Sequence, residues 1–204
     1  MKSILNIFIF AVLLISITSS CSNNSEKKKD TLAKKELSFL GAQTSIKWTA
    51  YKTTDKLGVK GTFKNTIIEN DASATKLEDI INSTKFKIPI STLYTGNDPR
   101  DYLIKTYFFG SMMDTDTISG SFSSAKDDKG KVAIKMNNVE FKNDFTYTFQ
   151  NDSLKINATL ELDNWNGYTA LSSLHEQCFD KHTGPDGVSK TWSDVDVEII
   201  SVFK

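Results

Sequence analysis

Apolar and polar residues alternate with a period of two along most of this chain, the pattern of strands buried on one face. Leu154, Ile156, Ala158, Leu160 and Leu162 interleave with Lys155, Asn157, Thr159 and Glu161. Phe145, Tyr147 and Phe149 alternate with Thr146, Thr148 and Gln150. The same rhythm recurs at Ile46, Trp48 and Ala50, at Val132, Ile134 and Met136, and at Val195, Val197, Ile199 and Phe203. Gly58 and Gly61 flank Val59 in a further expected strand. Pro89 falls inside the run Phe86–Ile90 and lacks an amide hydrogen, which predicts an edge or bulged strand there.

Helical spacing appears in three short stretches. Thr75 is placed to cap one or two turns through Ile81. Pro99 suits the first position of a segment running toward Phe108. Leu171, Leu174 and Cys178 share one face of a helix from about Tyr168 to Phe179, and Gly184-Pro185 blocks its extension. About eight strands with one apolar face each are accommodated by a closed antiparallel barrel or a sandwich. A barrel of that size is filled by its own side chains or holds one apolar ligand. Alternation alone fits both.

The first 36 residues follow a different pattern. Lys2 leads an apolar run from Ile4 to Ile17, followed by Thr18, Ser19, Ser20 and Cys21. A basic start, an apolar segment of this length and a small-residue exit describe a secretory signal, too short and wrongly flanked for a transmembrane span. The cysteine after the small residues resembles a bacterial lipobox, with Thr18 where Leu is usual; Cys21 would then be acylated and become the mature N-terminus. Ordinary secretion, with Cys21 incidental, is the plainer alternative. Residues 22–36 are polar and lack aromatics, as a flexible tether does. The expected organisation is a signal peptide over 1–20, a lipidated N-terminus and tether over 21–38, and a β-barrel domain over 39–204.

Charge narrows the partners. The chain carries 25 basic and 25 acidic residues, so no general field attracts nucleic acid. Lys27, Lys28 and Lys29 form the one basic run, suited to anionic headgroups beside an anchor or to a plain solvated tether. With Cys21 acylated, Cys178 is the only remaining thiol; no intramolecular disulfide is available, and stability rests on the core.

Several groups of residues, taken in order, resemble the YceI-like family of secreted lipid-binding barrels. They are Ile46-Lys47-Trp48-Thr49-Ala50-Tyr51-Lys52, Gly58-Val59-Lys60-Gly61-Thr62-Phe63, and Arg100-Asp101-Tyr102-Leu103-Ile104 leading to Phe108-Phe109. Trp165, Leu171-Ser172-Ser173-Leu174-His175, Cys178, His182-Thr183-Gly184 and Lys190-Thr191-Trp192-Ser193-Asp194-Val195 complete the set, and this last stretch is similar to the lipoprotein branch typical of Bacteroidetes. The resemblance implies an all-β, eight-stranded antiparallel, lipocalin-like barrel with short helical insertions, holding a polyisoprenoid or quinone-like lipid, with no catalytic apparatus and no other cofactor.

Residues that would wall such a cavity are Trp48, Phe63, Phe86, Leu103, Phe108, Phe109, Leu160, Trp165, Leu174 and Trp192, each also an ordinary core residue. Arg100 could meet a ligand head at the barrel mouth, or pair with Asp101 to pin a helix to the sheet. His175, Cys178 and His182 suggest a soft metal ion, but seven residues of helix separate the two histidines by about 10.5 Å along its axis; a buried thiol and hydrogen-bonded imidazoles are the structural alternative. No metal is expected. No Gly-x-Ser-x-Gly elbow and no phosphate-cradling glycine loop occur. The sequence therefore leads to an envelope-anchored lipoprotein at the periplasmic side of the outer membrane that shields a long apolar chain. The alternatives are a filled barrel acting through its surface, or a metal- or redox-sensing module on His175, Cys178 and His182. Oligomeric state has no signature in the sequence.

Overall fold

A computed structural model describes residues 36–69 and 73–204. The expected signal peptide, Cys21 and nearly all of the tether lie outside the described residues.

Strands β1 (Leu37–Ser38), β2 (Gln43–Lys52), β3 (Leu57–Phe63), β4 (Ile67–Ile68) and β5 (Ser73–Ala74) precede helix α1 (Leu77–Asn82). Strand β6 (Lys85–Pro89) leads through a 3₁₀ turn at Ile90–Thr92 into β7 (Leu93–Tyr94). Helix α2 (Asp98–Leu103) continues into a π-helical turn at Ile104–Phe108 and a 3₁₀ turn at Phe109–Ser111. A meander follows: β8 (Thr117–Lys126), β9 (Lys129–Met136), β10 (Val139–Gln150) and β11 (Ser153–Glu161). A 3₁₀ turn at Leu162–Trp165, helices α3 (Tyr168–Gln177) and α4 (Phe179–His182), and β12 (Thr191–Val202) complete the chain. The meander hairpins turn on Asp127-Asp128, Asn137-Asn138 and Asn151-Asp152, all at positive φ. Two-residue hairpins demand that conformation, and Asn and Asp tolerate it best after glycine.

Among the described residues, ten strands form one antiparallel sheet in the order β4-β6-β8-β9-β10-β11-β12-β2-β3-β7, and β1 pairs with β5 apart from it. The sheet curls, because its outermost pieces belong to segments that already run side by side. Thr62 and Phe63 pair with Tyr94 and Leu93, while Ile67 and Ile68 pair with Lys87 and Phe86. Between them the Lys64 amide donates to the Thr92 carbonyl at 2.9 Å. The sheet has ten strands where eight were expected; the chain leaves the ladder at residues 64–66, between β3 and β4, and at 90–92, between β6 and β7.

Other expectations are corrected in detail. β6 is not an edge strand: it pairs with β8 on one side and β4 on the other, and Pro89 ends it. Helix α1 starts after Lys76 with no side-chain cap, since β5 occupies the residues just before Thr75. Leu37 and Ser38, assigned to the tether, form β1, and Leu37 is buried, so the folded domain begins slightly earlier than residue 39. The third helix breaks at Cys178 and resumes as α4.

The alternation sorts as the sequence implies. Ile156, Val132, Ile134, Met136, Phe145 and Ile46 are buried inside, whereas Lys155 and Lys47 meet Glu198 on the outside. Apolar inside and charged outside is the reverse of a membrane-spanning barrel, whose apolar band faces lipid. No described helix is long and apolar enough to cross a membrane.

Candidate functional site: an apolar cavity in the barrel

On the cavity-lining face, three directly paired cross-strand positions set a large aromatic opposite a glycine: Trp48 and Gly61, Phe86 and Gly120, Phe145 and Gly130. A Cβ on any of these glycines would overlap the opposing ring. Each ring therefore lies down on the wall over its glycine, a known device for filling the gap left by a missing side chain. Rings held against the wall do not cross the lumen, and an apolar cavity of about 210 Å³ remains.

Ile46, Trp48 and Ala50 of β2 line it, as do Ala158 and Leu160 of β11 and Val195, Val197 and Ile199 of β12. Thr44 to Ala50 is six residue rises, so the lining extends along roughly 20 Å of strand. Ile104, Phe108 and Phe109 line it from the π-helical segment, and Leu171 and Leu174 from α3. A π turn adds a residue and shifts the helical phase; here consecutive Phe108 and Phe109 are both buried, ring centroids 4.9 Å apart and edge to face.

Eight expected wall residues line the cavity: Trp48, Phe63, Phe86, Phe108, Phe109, Leu160, Leu174 and Trp192. Leu103 and Trp165 do not. Leu103 ends α2, and its successor Ile104 is the lining residue. Trp165 is 0 % exposed, its ring edge to face with Phe141 and its Nε1 donating to the Ile134 carbonyl at 2.8 Å. It is structural core. Ile104, Leu171 and Ile88 line the cavity without being among the expected wall residues; for Ile88 the signal was its alternation with Phe86, obscured by Pro89.

The lining includes few polar groups. Thr44 Oγ1 and Ser201 Oγ bond to each other at 2.9 Å. Thr191 Oγ1 lies 2.9 Å from His175 Nδ1 and 2.7 Å from His182 Nδ1. One hydroxyl has one proton to give, so with both rings neutral one Nδ1 accepts from Thr191 and the other donates to it. Burial, then the Lys52 ammonium, pushes His182 down to about 4, keeping it neutral near pH 7. Burial raises the Cys178 thiol pKa, which disfavours the thiolate that metal binding and redox chemistry need. Among the described residues no group of three His, Cys, Asp or Glu is placed to hold a metal ion. His175, Cys178 and His182 are not drawn around a common ion; both imidazoles are engaged on Thr191.

The Arg100–Asp101 ion pair is replaced by another arrangement. Asp101 is buried and accepts from the Thr95 amide at 2.9 Å and the Thr95 hydroxyl at 2.6 Å. Arg100 is exposed, is absent from the cavity lining, and gives its amide to the Asn97 cap.

A curled antiparallel sheet around an apolar lumen is a small β-barrel architecture. Solved structures place the chain more narrowly. A polyisoprenoid-binding domain from Saccharophagus degradans, implicated in plant cell wall breakdown, matches with TM-score 0.56 and 8% identity over 79% of this chain and 93% of that one. Burkholderia cenocepacia BcnA matches with TM-score 0.51 and 10% identity over 81% and 98%. The Campylobacter jejuni YCEI protein matches with TM-score 0.45 and 16% identity over 72% and 85%. The chain shares the fold of the first two. No family profile matches it, and no curated protein matches it in sequence.

Proposed function

We propose that this protein is a YceI-like binding protein, not an enzyme, that shields a long, slender apolar lipid of the polyisoprenoid type inside its barrel. The observation carrying this is the cavity, almost wholly apolar and held open by rings laid over glycines. Counting β3 with β4 and β6 with β7 as single interrupted strands, the container is an eight-stranded closed barrel. Its 210 Å³ lies below the ~300–1,000 Å³ of drug-sized pockets, so it suits one extended chain. Each CH₂ withdrawn from water contributes about 0.8 kcal/mol, so binding needs no chemistry. The printed ligand class of the S. degradans domain supports the reading.

Residues 1–21 support a lipoprotein anchored through Cys21, with Ser22 at the next position and an outer-membrane destination facing the periplasm. Storage, transport or stress protection would use the same pocket. The test is displacement: an environment-sensitive apolar fluorophore should bind stoichiometrically to delipidated protein and be competed off by a polyisoprenoid alcohol. A fluorophore that does not bind, or that binds only at the surface unaffected by competitor, would favour a filled barrel acting through its exterior.

A further inference from the structure

We propose that Trp48 is a specificity residue, whose indole N–H selects lipids bearing a neutral carbonyl oxygen over pure hydrocarbons. The chain has three tryptophans. Trp165 Nε1 donates to the Ile134 carbonyl and Trp192 Nε1 to the Thr53 carbonyl, each at 2.8 Å. Trp48 Nε1 is buried with no partner, the one such side-chain nitrogen or oxygen among the described residues. A buried donor left unpaired is costly, and native structures rarely retain one without a use.

Packing does not require the nitrogen. Phe86 and Phe145 cover Gly120 and Gly130 in the way that Trp48 covers Gly61, so a phenylalanine would serve the wall at position 48. Indole differs from that ring by its size and by a group that can only donate; the complementary partner is an acceptor. Among the lining hydroxyls, those of Thr44 and Ser201 bond each other, that of Thr191 meets both imidazoles, and that of Thr84 donates to the Ile80 carbonyl. Trp48 sits between Ile46 and Ala50, both also lining the cavity, and its Nε1 is closed off while the ring lies on Gly61, so an acceptor in the lumen reaches it by tilting the indole off the wall. Apolar surroundings penalise a carboxylate or phosphate there, which leaves an uncharged oxygen such as a ketone, quinone or ester carbonyl.

This inference rests on the container reading, and its test separates the two. The full chain, stripped of lipid and labelled with ¹⁵N in its indoles, is titrated with a long methyl ketone and with the n-alkane of equal heavy-atom count. The ketone should bind about tenfold more tightly, the scale of one well-made hydrogen bond to a buried donor. It should move the Trp48 indole resonance downfield and leave those of Trp165 and Trp192 in place. Trp48→Phe should bring the two affinities together. Equal affinities in the wild type without a ketone-specific shift, or a ketone preference that survives Trp48→Phe, would overturn the assignment to Trp48. Failure of both probes to bind would instead overturn the container itself. The resonance shift is read on the unmutated protein, so it stands even if the variant folds poorly.

Discussion

The indole of Trp48 covers the backbone of Gly61, its direct partner across the β2–β3 ladder. A Cβ at Gly61 would sit 2.5 Å from Cε2 of that ring, so Gly61→Ala drives the indole into the lumen. Overpacking of this kind costs about 1–3 kcal/mol. Urea unfolding should register that loss together with weaker binding of an apolar probe. Gly110→Ala is the control: its nearest contact would be 3.4 Å from the Lys105 carbonyl oxygen, and its stability should stay within about 0.5 kcal/mol of wild type.

Leu160 lines the cavity and pairs with Val195 across the β11–β12 ladder. Leu160→Asp sets a carboxyl in an apolar wall without a partner, an expected loss of at least about 2 kcal/mol with loss of the apolar guest. Thr148→Asp faces outward opposite Lys155 and should leave both stability and probe binding nearly unchanged. Thermal melts and fluorophore titration of the two variants decide the inward assignment; equal damage from both would contradict it.

The strand faces were legible because a half-buried strand can hide its apolar residues only at period two. Thus Ala158 and Leu160 share one face of their strand, and Val195 and Val197 one face of theirs, on alternation alone. Whether the lumen was open or filled was not legible. That depends on ring direction, set by which glycine lies opposite Trp48, Phe86 and Phe145, and so on register between strands distant in sequence. Trp165 was misassigned for a related reason: burial and ligand contact select the same residue types. The break at 90–92 was hidden too, because Pro89 signals an interruption without saying that the strand resumes on the other side of the sheet.

His182 is held neutral by burial, with a pKa near 4 against 6.5 when unfolded. Above pH 6.5 this difference has no effect on stability. Between 6.5 and about 4 the unfolded chain takes up a proton that the folded chain refuses, so stability falls as pH drops through that window. His182→Asn removes the titrating group and should flatten the decline, measured as melting temperature against pH. The Asp196 carboxyl, depressed by its bonds from Thr159 and then Tyr51, gives its own loss lower, below the ordinary carboxylate value of 3.8. An unchanged slope in His182→Asn would contradict the role of this imidazole.

Cys21→Ala should release the protein from membranes, because Lys27, Lys28 and Lys29 alone bind anionic headgroups weakly and reversibly. Fractionation of expressing cells in high salt reads the outcome. A mature variant, its mass showing the apolar segment removed, that still pellets with membrane would contradict anchoring by acylation.

The central claim is that the barrel holds a lipid. Native mass spectrometry of Cys21→Ala protein, purified from its own host without added detergent, tests it most directly. A folded species heavier than the chain by the mass of one apolar molecule, reduced to the chain mass after solvent extraction and absent from Leu160→Asp, is the predicted result. A spectrum containing only the bare chain, with no hydrophobic compound in the solvent extract, would contradict it.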